Sequence, residues 1–253
     1  MAPDGGALAI VAGRGALPRL IAEDCAKGGR PYVVVVFPNV SLDWTGGHPV
    51  LPAAFEKPGR LFADLRDAGC RAVTFAGGMA RPELNPLRFD LTMLRLAPKV
   101  LSAVRGGDDR ALRVIAEVVE AQGLTLVPAQ AILAGLLAAP GVPTRAQPTE
   151  ADRADAARAA EIAAALGTAD VGQGAVVAQG ICLGLESIQG TDAMLDFVAR
   201  TGGPFRHDPA GARGVLLKAP KPGQDLRMDL PAIGPDTMRA AAAAGLAGVA
   251  VQA

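Results

Sequence analysis

The residues of this chain best suited to chemistry concentrate between Glu186 and Gly234. Gly190-Thr191-Asp192-Ala193-Met194-Leu195 comes first. Lys218-Ala219-Pro220-Lys221-Pro222 follows, then Asp225, then Arg227-Met228-Asp229-Leu230-Pro231-Ala232-Ile233-Gly234. Proline fixes φ and removes a backbone donor, so Lys-Ala-Pro-Lys-Pro is a rigid loop rather than a helix or a central strand. A rigid loop that shows lysines beside carboxylates suits a phosphate-plus-metal site. The same composition also makes a solvated surface loop, and both readings stand at this point.

Composition narrows the surroundings of such a site. With 253 residues, half of them apolar, the chain can bury a sizeable core in one large domain or two modest ones. Lys and Arg total 25 against 25 Asp and Glu, and aromatic residues are few, which excludes a nucleic-acid partner. Cys25, Cys70 and Cys182 stand far apart without CxxC spacing, so they read as buried thiols of a reducing cytoplasm. Two histidines, His48 and His207, argue against a histidine-rich metal site. The start Met1-Ala2-Pro3-Asp4-Gly5 lacks a signal peptide's basic and apolar regions. The longest apolar runs, 132–142 and 240–251, are too short to span a bilayer. The expectation is a soluble protein.

Along the chain, apolar and β-branched runs alternate with helical patterns. Ala7–Ala12, Tyr32–Phe37, Arg71–Ala76 and Leu124–Val127 read as strands. Ala16–Lys27, Gly59–Ala68, a segment from Gly107-Asp108-Asp109 to Gln122, and Ile132–Leu137 read as helices. This alternation predicts a doubly wound, Rossmann-like parallel sheet over residues 1–137. The turn Gly13-Arg14-Gly15-Ala16-Leu17-Pro18 occupies the place of a dinucleotide fingerprint. Pro18 replaces its third glycine, and no acidic residue follows Phe37-Pro38-Asn39. Gly15 and Ala16 are therefore candidate contacts for an anionic or sugar ligand at a helix N-terminus. Gly77 and Arg81 are candidates after the Arg71–Ala76 strand, because ligands of open α/β sheets collect at carboxyl strand ends. A tight strand-to-helix turn and an ordinary exposed arginine explain the same residues structurally.

Residues 138–149, rich in proline, read as a linker to a smaller α/β domain with a mixed sheet, 150–253. In it, Glu150 or Asp152 caps an Ala-rich helix ending near Leu166. Strands follow at Ala175–Ala178, Ile181–Glu186, Gly214–Leu217 and Gly248–Val251. Thr191 caps a helix from Asp192 to Arg200, and Asp236 opens a last one.

At Gly172-Gln173-Gly174, Gly190–Leu195, Lys218–Pro222 and Asp229–Gly234, in that order, the chain resembles the two-domain UDP-2,3-diacylglucosamine diphosphatases of bacterial lipid A synthesis. Ala12-Gly13, Gly15, Leu17-Pro18, Phe75-Ala76-Gly77 and Gly107-Asp108-Asp109 match as well, so the similarity runs nearly end to end. It implies metal-dependent hydrolysis, with water attacking the α-phosphorus to give UMP and 2,3-diacylglucosamine 1-phosphate. It also implies that Asp229 is catalytic and binds the metal. Two departures stand out: Gln189 occupies a position where Glu is expected, and relatives continue beyond Ala253 through another strand and helix.

The implied chemistry suits these residue types. A pyrophosphate diester is strongly anionic, and Mg²⁺ or Mn²⁺ would neutralise it through hard oxygen ligands. Asp229 and Asp192 are the metal candidates, with Glu186 and Asp225 as further nearby carboxylates. Lys218 or Lys221 can meet a non-bridging oxygen as a compact charge. Gln173 and Thr191 can bond phosphate or sugar hydroxyls. The implied partners are a glycolipid nucleotide substrate, a transiently contacted membrane surface and, in a homodimer, a second copy. The implied location is the cytoplasm, peripheral to the inner membrane. A non-catalytic nucleotide-sugar-binding protein and a nicotinamide-dependent oxidoreductase are the alternatives.

Overall fold

A computed structural model describes residues 5–80, 82–104, 108–133 and 135–252. The chain divides into two compact units, Met1–Leu137 with Asp225–Asp229, and Ala138–Gln224 with Leu230–Ala253.

The first unit runs β1 (Ala7–Ala12), α1 (Leu17–Lys27), β2 (Tyr32–Val36), β3 (Val50–Pro52), α2 (Pro58–Asp67), β4 (Cys70–Ala76), α3 (Leu91–Val104), α4 (Asp108–Glu120), β5 (Thr125–Leu126) and α5 (Ala129–Ile132). Its strands are all parallel, in the order β3-β2-β1-β4-β5. Every residue of β1 is buried, as a central parallel strand covered on both faces requires. Strand periodicity divides the core. Ala9, Val11, Val33 and Val35 pack with Phe62 and Leu65 on one face, and Leu8, Ile10 and Val34 pack with Ile21 and Cys25 on the other.

Four features depart from expectation. The short strand β3 lies in the stretch read as a loop after Trp44. Helix α3 adds to the predicted elements; Asp90 supplies its start signal by accepting from the Met93 amide at 2.7 Å, and Pro98 in its interior hides it from the sequence pattern. The helix expected over Ile132–Leu137 is instead the single turn α5, because Leu133 is extended and Gly135 takes φ +92°. Cys25 and Cys70 are buried, which pushes both thiols up, but Cys182 is exposed on an edge strand rather than buried.

The second unit runs α6 (Glu150–Thr168), β6 (Gly174–Ala178), β7 (Ile181–Leu185), α7 (Thr191–Thr201), β8 (Val215–Lys218), α8 (Pro235–Ala243) and β9 (Gly248–Val251). Its sheet is mixed, in the order β7-β6-β8-β9, with β6 antiparallel to both neighbours and β9 parallel to β8. Ala159 and Ala163 of α6 cover Ala175, Val177 and Leu217 on one face. Leu195 and Val198 of α7 and Ala241 of α8 cover Val176 and Leu216 on the other.

The cap of α6 is Thr149, paired with Asp152 in a capping box, rather than Glu150 or Asp152 itself. The hairpin between β6 and β7 turns on Gln179 and Gly180, at φ +52° and +78°. The buried Asp155 of α6 accepts from both of their amides, at 3.0 and 2.8 Å. That carboxylate ties the helix to the turn and sets where β7 and the chain beyond it begin. Among the described residues no helix is long and apolar enough to cross a membrane.

Candidate functional site

In the first unit the glycine turns that follow β1 and β4 are built against each other. Arg14 and Gly78 pair across an isolated bridge, with amide-to-carbonyl bonds of 2.7 and 3.1 Å. A Cβ on Gly13 would lie 2.5 Å from the Gly77 carbonyl oxygen, and one on Gly77 would lie 2.3 Å from that of Arg14. Close backbone approach therefore explains why Gly13 and Gly77 are glycine. Gly15, at φ +96°, borders open space, and Ala16 is the exposed N-cap of α1. Both lie at the carboxyl edge of the sheet, where a ligand could approach. Arg81 and Gly107 lie outside the described residues.

In the second unit, four separate segments bring polar groups into the sheet. Glu186 follows β7, Lys218 ends β8, Thr191 opens α7, and Gly172-Gln173-Gly174 leads into β6. Antiparallel pairing sets Gly174 opposite Lys218, and the Glu186 amide bonds the Gly174 carbonyl at 2.9 Å. Lys218 donates to the Thr191 hydroxyl at 2.8 Å, and that hydroxyl donates to Glu186 Oε1 at 2.5 Å. Lys218 Nζ lies 3.4 Å from the same Oε1, with both side chains only 8% exposed.

The other carboxylate oxygen of Glu186, Oε2, is buried without a hydrogen-bond partner among the described residues, as is Gln173 Oε1. The two glycines flanking Gln173 make room for Glu186, Gly174 for its carboxylate and Gly172 for its backbone. A Cβ on Gly174 would stand 2.7 Å from Oε2, and one on Gly172 would stand 2.0 Å from the Glu186 carbonyl oxygen. Thr191 is thus a bridge between a buried acid and a buried base, and the N-cap of α7 is Gly190. This corrects the expectation that Thr191 caps the helix. Its hydroxyl is committed five residues back, to Glu186, and Gly190 at φ +87° makes the turn into the helix.

Lys221 is not in this cluster. Its ammonium pairs with Asp170 at 2.5 Å, and its backbone lies beside Gly167 of α6, where a Cβ would meet Pro222 at 2.7 Å. Asp192 is an exposed carboxylate in the first turn of α7. Gln189, at the departure from the family pattern, accepts a short bond from the Ser187 hydroxyl.

Asp229 sits in the segment Asp225–Asp229, which belongs to the first unit. Met228 is buried in that unit's core. Arg227 holds Asp225 through two bonds, at 3.0 and 2.8 Å, and reaches Glu120 of α4 at 2.6 Å. Gln130 donates to the Leu226 carbonyl at 3.2 Å. The hydrogen bonds from Arg227 hold the Asp225 carboxyl below its ordinary range, and those to Asp225 and Glu120 raise the guanidinium above its own. Asp225 is thus spent on Arg227 and is no spare oxygen donor. Asp229 ends this anchored turn, its amide directed to the Asp225 carbonyl at 3.4 Å and its residue exposed.

Glu186 is the residue whose importance the residue types alone understated, since sequence placed it only among nearby carboxylates. Its signal was there in retrospect: a single acid at a strand end, facing glycines that flank Gln173. No three His, Cys, Asp or Glu side chains stand together as a preformed cage among the described residues. Mg²⁺ commonly takes only one or two carboxylates and completes its shell with substrate phosphates and water. Asp192 and Asp229, each exposed in its own unit, are single carboxylates of the kind that such binding uses.

Two family models match the chain: the one described as LpxI N-terminal domain over residues 7–136, and the one described as LpxI C-terminal domain over residues 139–253. The chain is also 38% identical to UDP-2,3-diacylglucosamine pyrophosphatase LpxI of Caulobacter vibrioides, over 96% of this chain and 86% of that protein.

Proposed function

The chain belongs to the LpxI family, and on that premise we propose that it hydrolyses the pyrophosphate of UDP-2,3-diacylglucosamine in lipid A synthesis. In this reading water attacks the α-phosphorus, and the products are UMP and 2,3-diacylglucosamine 1-phosphate. The observation that carries it is the buried Glu186–Thr191–Lys218 cluster beside Gln173. A lysine held at the end of a strand, with donor capacity beyond its bond to Thr191, suits a non-bridging phosphate oxygen. Buried acceptors without donors, on Glu186 and Gln173, suit ligand hydroxyl groups.

Each residue then has a role. Lys218 meets phosphate charge, and Thr191 keeps that ammonium directed. Gln173 orients phosphate or sugar hydroxyls, while Lys221, already paired with Asp170, adds positive field. Gly15 and Ala16 present the N-terminal edge of α1 to the ligand, and Arg81 remains a candidate contact by sequence. Asp229, on its anchored turn, takes the proton of the attacking water. Asp192 and Asp229 would hold a divalent cation, Mg²⁺ or Mn²⁺. When bound, the cation neutralises the pyrophosphate and lowers the pKa of the attacking water. Because the substrate's acyl chains lie in a bilayer, the reading includes a cytoplasmic enzyme in transient contact with the inner membrane, alone or as a homodimer.

The decisive experiment incubates the protein with detergent-dispersed UDP-2,3-diacylglucosamine and Mg²⁺, with and without EDTA, and follows UMP. Release that EDTA abolishes and Mg²⁺ or Mn²⁺ restores is expected. Binding without turnover would point to a nucleotide-sugar-binding protein, and a nicotinamide-dependent fluorescence change to an oxidoreductase.

A further inference from the structure

We propose that the outward face of α3, with the turn before it, is the surface by which this protein touches an anionic lipid bilayer. The choice of lipid as partner rests on the diacylated substrate proposed above; the surface itself rests on its shape and charge. Leu87 is 96% exposed, Leu91 73%, Leu94 55% and Leu101 41%. At about 100° per residue, Leu91, Leu94, Pro98 and Leu101 fall within an arc of about 80° on the helix. Met93 and Ala103, outside that arc, are the buried positions that hold α3 to its unit. A run of large apolar side chains on one solvated face is unlike the scattered exposed leucine of an ordinary surface.

The charges select the occupant. Arg95 and Lys99 lie along one edge of the stripe, and Arg88 stands next to Leu87, all exposed. From Leu91 to Val104 there is no acidic residue, and among the described residues the one counter-charge on these cations is Glu117 of α4, paired with Lys99. A second copy of the chain laid on this face would bring cations against cations. Anionic headgroups would instead meet Arg88 and Arg95 while the leucines enter the headgroup and acyl boundary. That is the arrangement of a helix lying in the interfacial plane. The stripe is short and its cations few, so binding is reversible and depends on salt.

The test uses the full chain with vesicles of phosphatidylcholine alone and of phosphatidylcholine with phosphatidylglycerol, without substrate, by cosedimentation. Binding to the anionic vesicles only, falling as salt rises, is expected. Leu91→Glu with Leu94→Glu should weaken it roughly a hundredfold, from two leucines left in water. Arg88→Gln with Arg95→Gln should weaken it about fivefold for each charge removed. Turnover of detergent-dispersed substrate should be unchanged in both variants, while turnover of vesicle-borne substrate falls. Equal binding to neutral and anionic vesicles overturns the proposal, as does wild-type binding by the glutamate variant. So does a dimer, seen by sedimentation velocity, that the glutamate variant loses while vesicle binding is absent throughout. Wild-type protein that binds anionic vesicles yet never releases UMP in detergent would sink the proposed reaction and leave this surface standing.

Discussion

Lys218 and Glu186 lie 3.4 Å apart, ammonium to carboxylate oxygen, with the Thr191 hydroxyl bonded to both. Taking two charges out of water costs several kcal/mol each, and their attraction returns that only when every remaining valence is satisfied. Here it is not, since Oε2 of Glu186 has no hydrogen-bond partner among the described residues. Stability alone does not account for such a pair; in the proposed reading its use is to aim a cation at substrate phosphate.

Breaking the pair from one side should therefore hurt more than removing it. Glu186→Ala leaves Lys218 buried without its carboxylate and should cost about 3–5 kcal/mol in urea denaturation. The double variant Glu186→Gln with Lys218→Met should lose less stability than Glu186→Ala alone, yet lose turnover. Glu186→Gln alone, which still accepts from Thr191, should fold and mainly raise KM. A double variant with wild-type turnover would remove this cluster from the site.

Asp229→Ala should lower kcat by about 10²–10⁴-fold, the range supplied by a positioned proton acceptor. KM should change little, because Lys218 and Gln173 carry binding in this reading. Thermal stability should hold, because Asp229 is exposed and its turn is anchored by Met228 and Arg227. A folded variant keeping more than about a tenth of wild-type turnover would shift the role to Asp192.

The anchor of that turn should be sensitive to acid. Arg227 depresses the Asp225 carboxyl in the folded state. Its stabilisation is therefore fully present above the unfolded carboxylate range, near about 3.9, and disappears as pH falls through the lower folded value. Wild-type protein should lose about 1 kcal/mol between neutrality and strong acid from this contact. Asp225→Asn should lack that part of the pH dependence. Identical acid-denaturation profiles for the two proteins would rule it out.

The two glycine turns of the first unit should separate structural from exposed positions. Gly77→Ala puts a methyl 2.3 Å from the Arg14 carbonyl oxygen at φ +83°, and should cost about 2–4 kcal/mol from clash and strain together. Gly15→Ala pays only for its φ of +96°, in open space, about 1 kcal/mol. Calorimetry that ranks the two equally would show that the contact between the turns contributes nothing.

Local signals carried much of this protein. The apolar runs of β1, β2 and β4 announced buried parallel strands because a strand covered on both faces needs no alternation. Lys-Ala-Pro-Lys-Pro announced a rigid loop because proline restricts φ wherever it sits. The chain's alternation of strand and helix, and the resemblance to one family, came from the same order of residues. Other features needed partners distant in sequence. Three residues of β3 are a strand only because β2 lies beside them, and α3 keeps Pro98 because Met93 and Ala103 are buried in its unit. Thr191 read as a cap until the fold gave its hydroxyl Glu186 to donate to and Lys218 to accept from. Dihedral preference and periodicity act over a few residues and are legible in order along a chain. Which carboxylate meets which lysine is decided by strand pairing, because β7 and β8 flank β6 and bring the ends of both to one place.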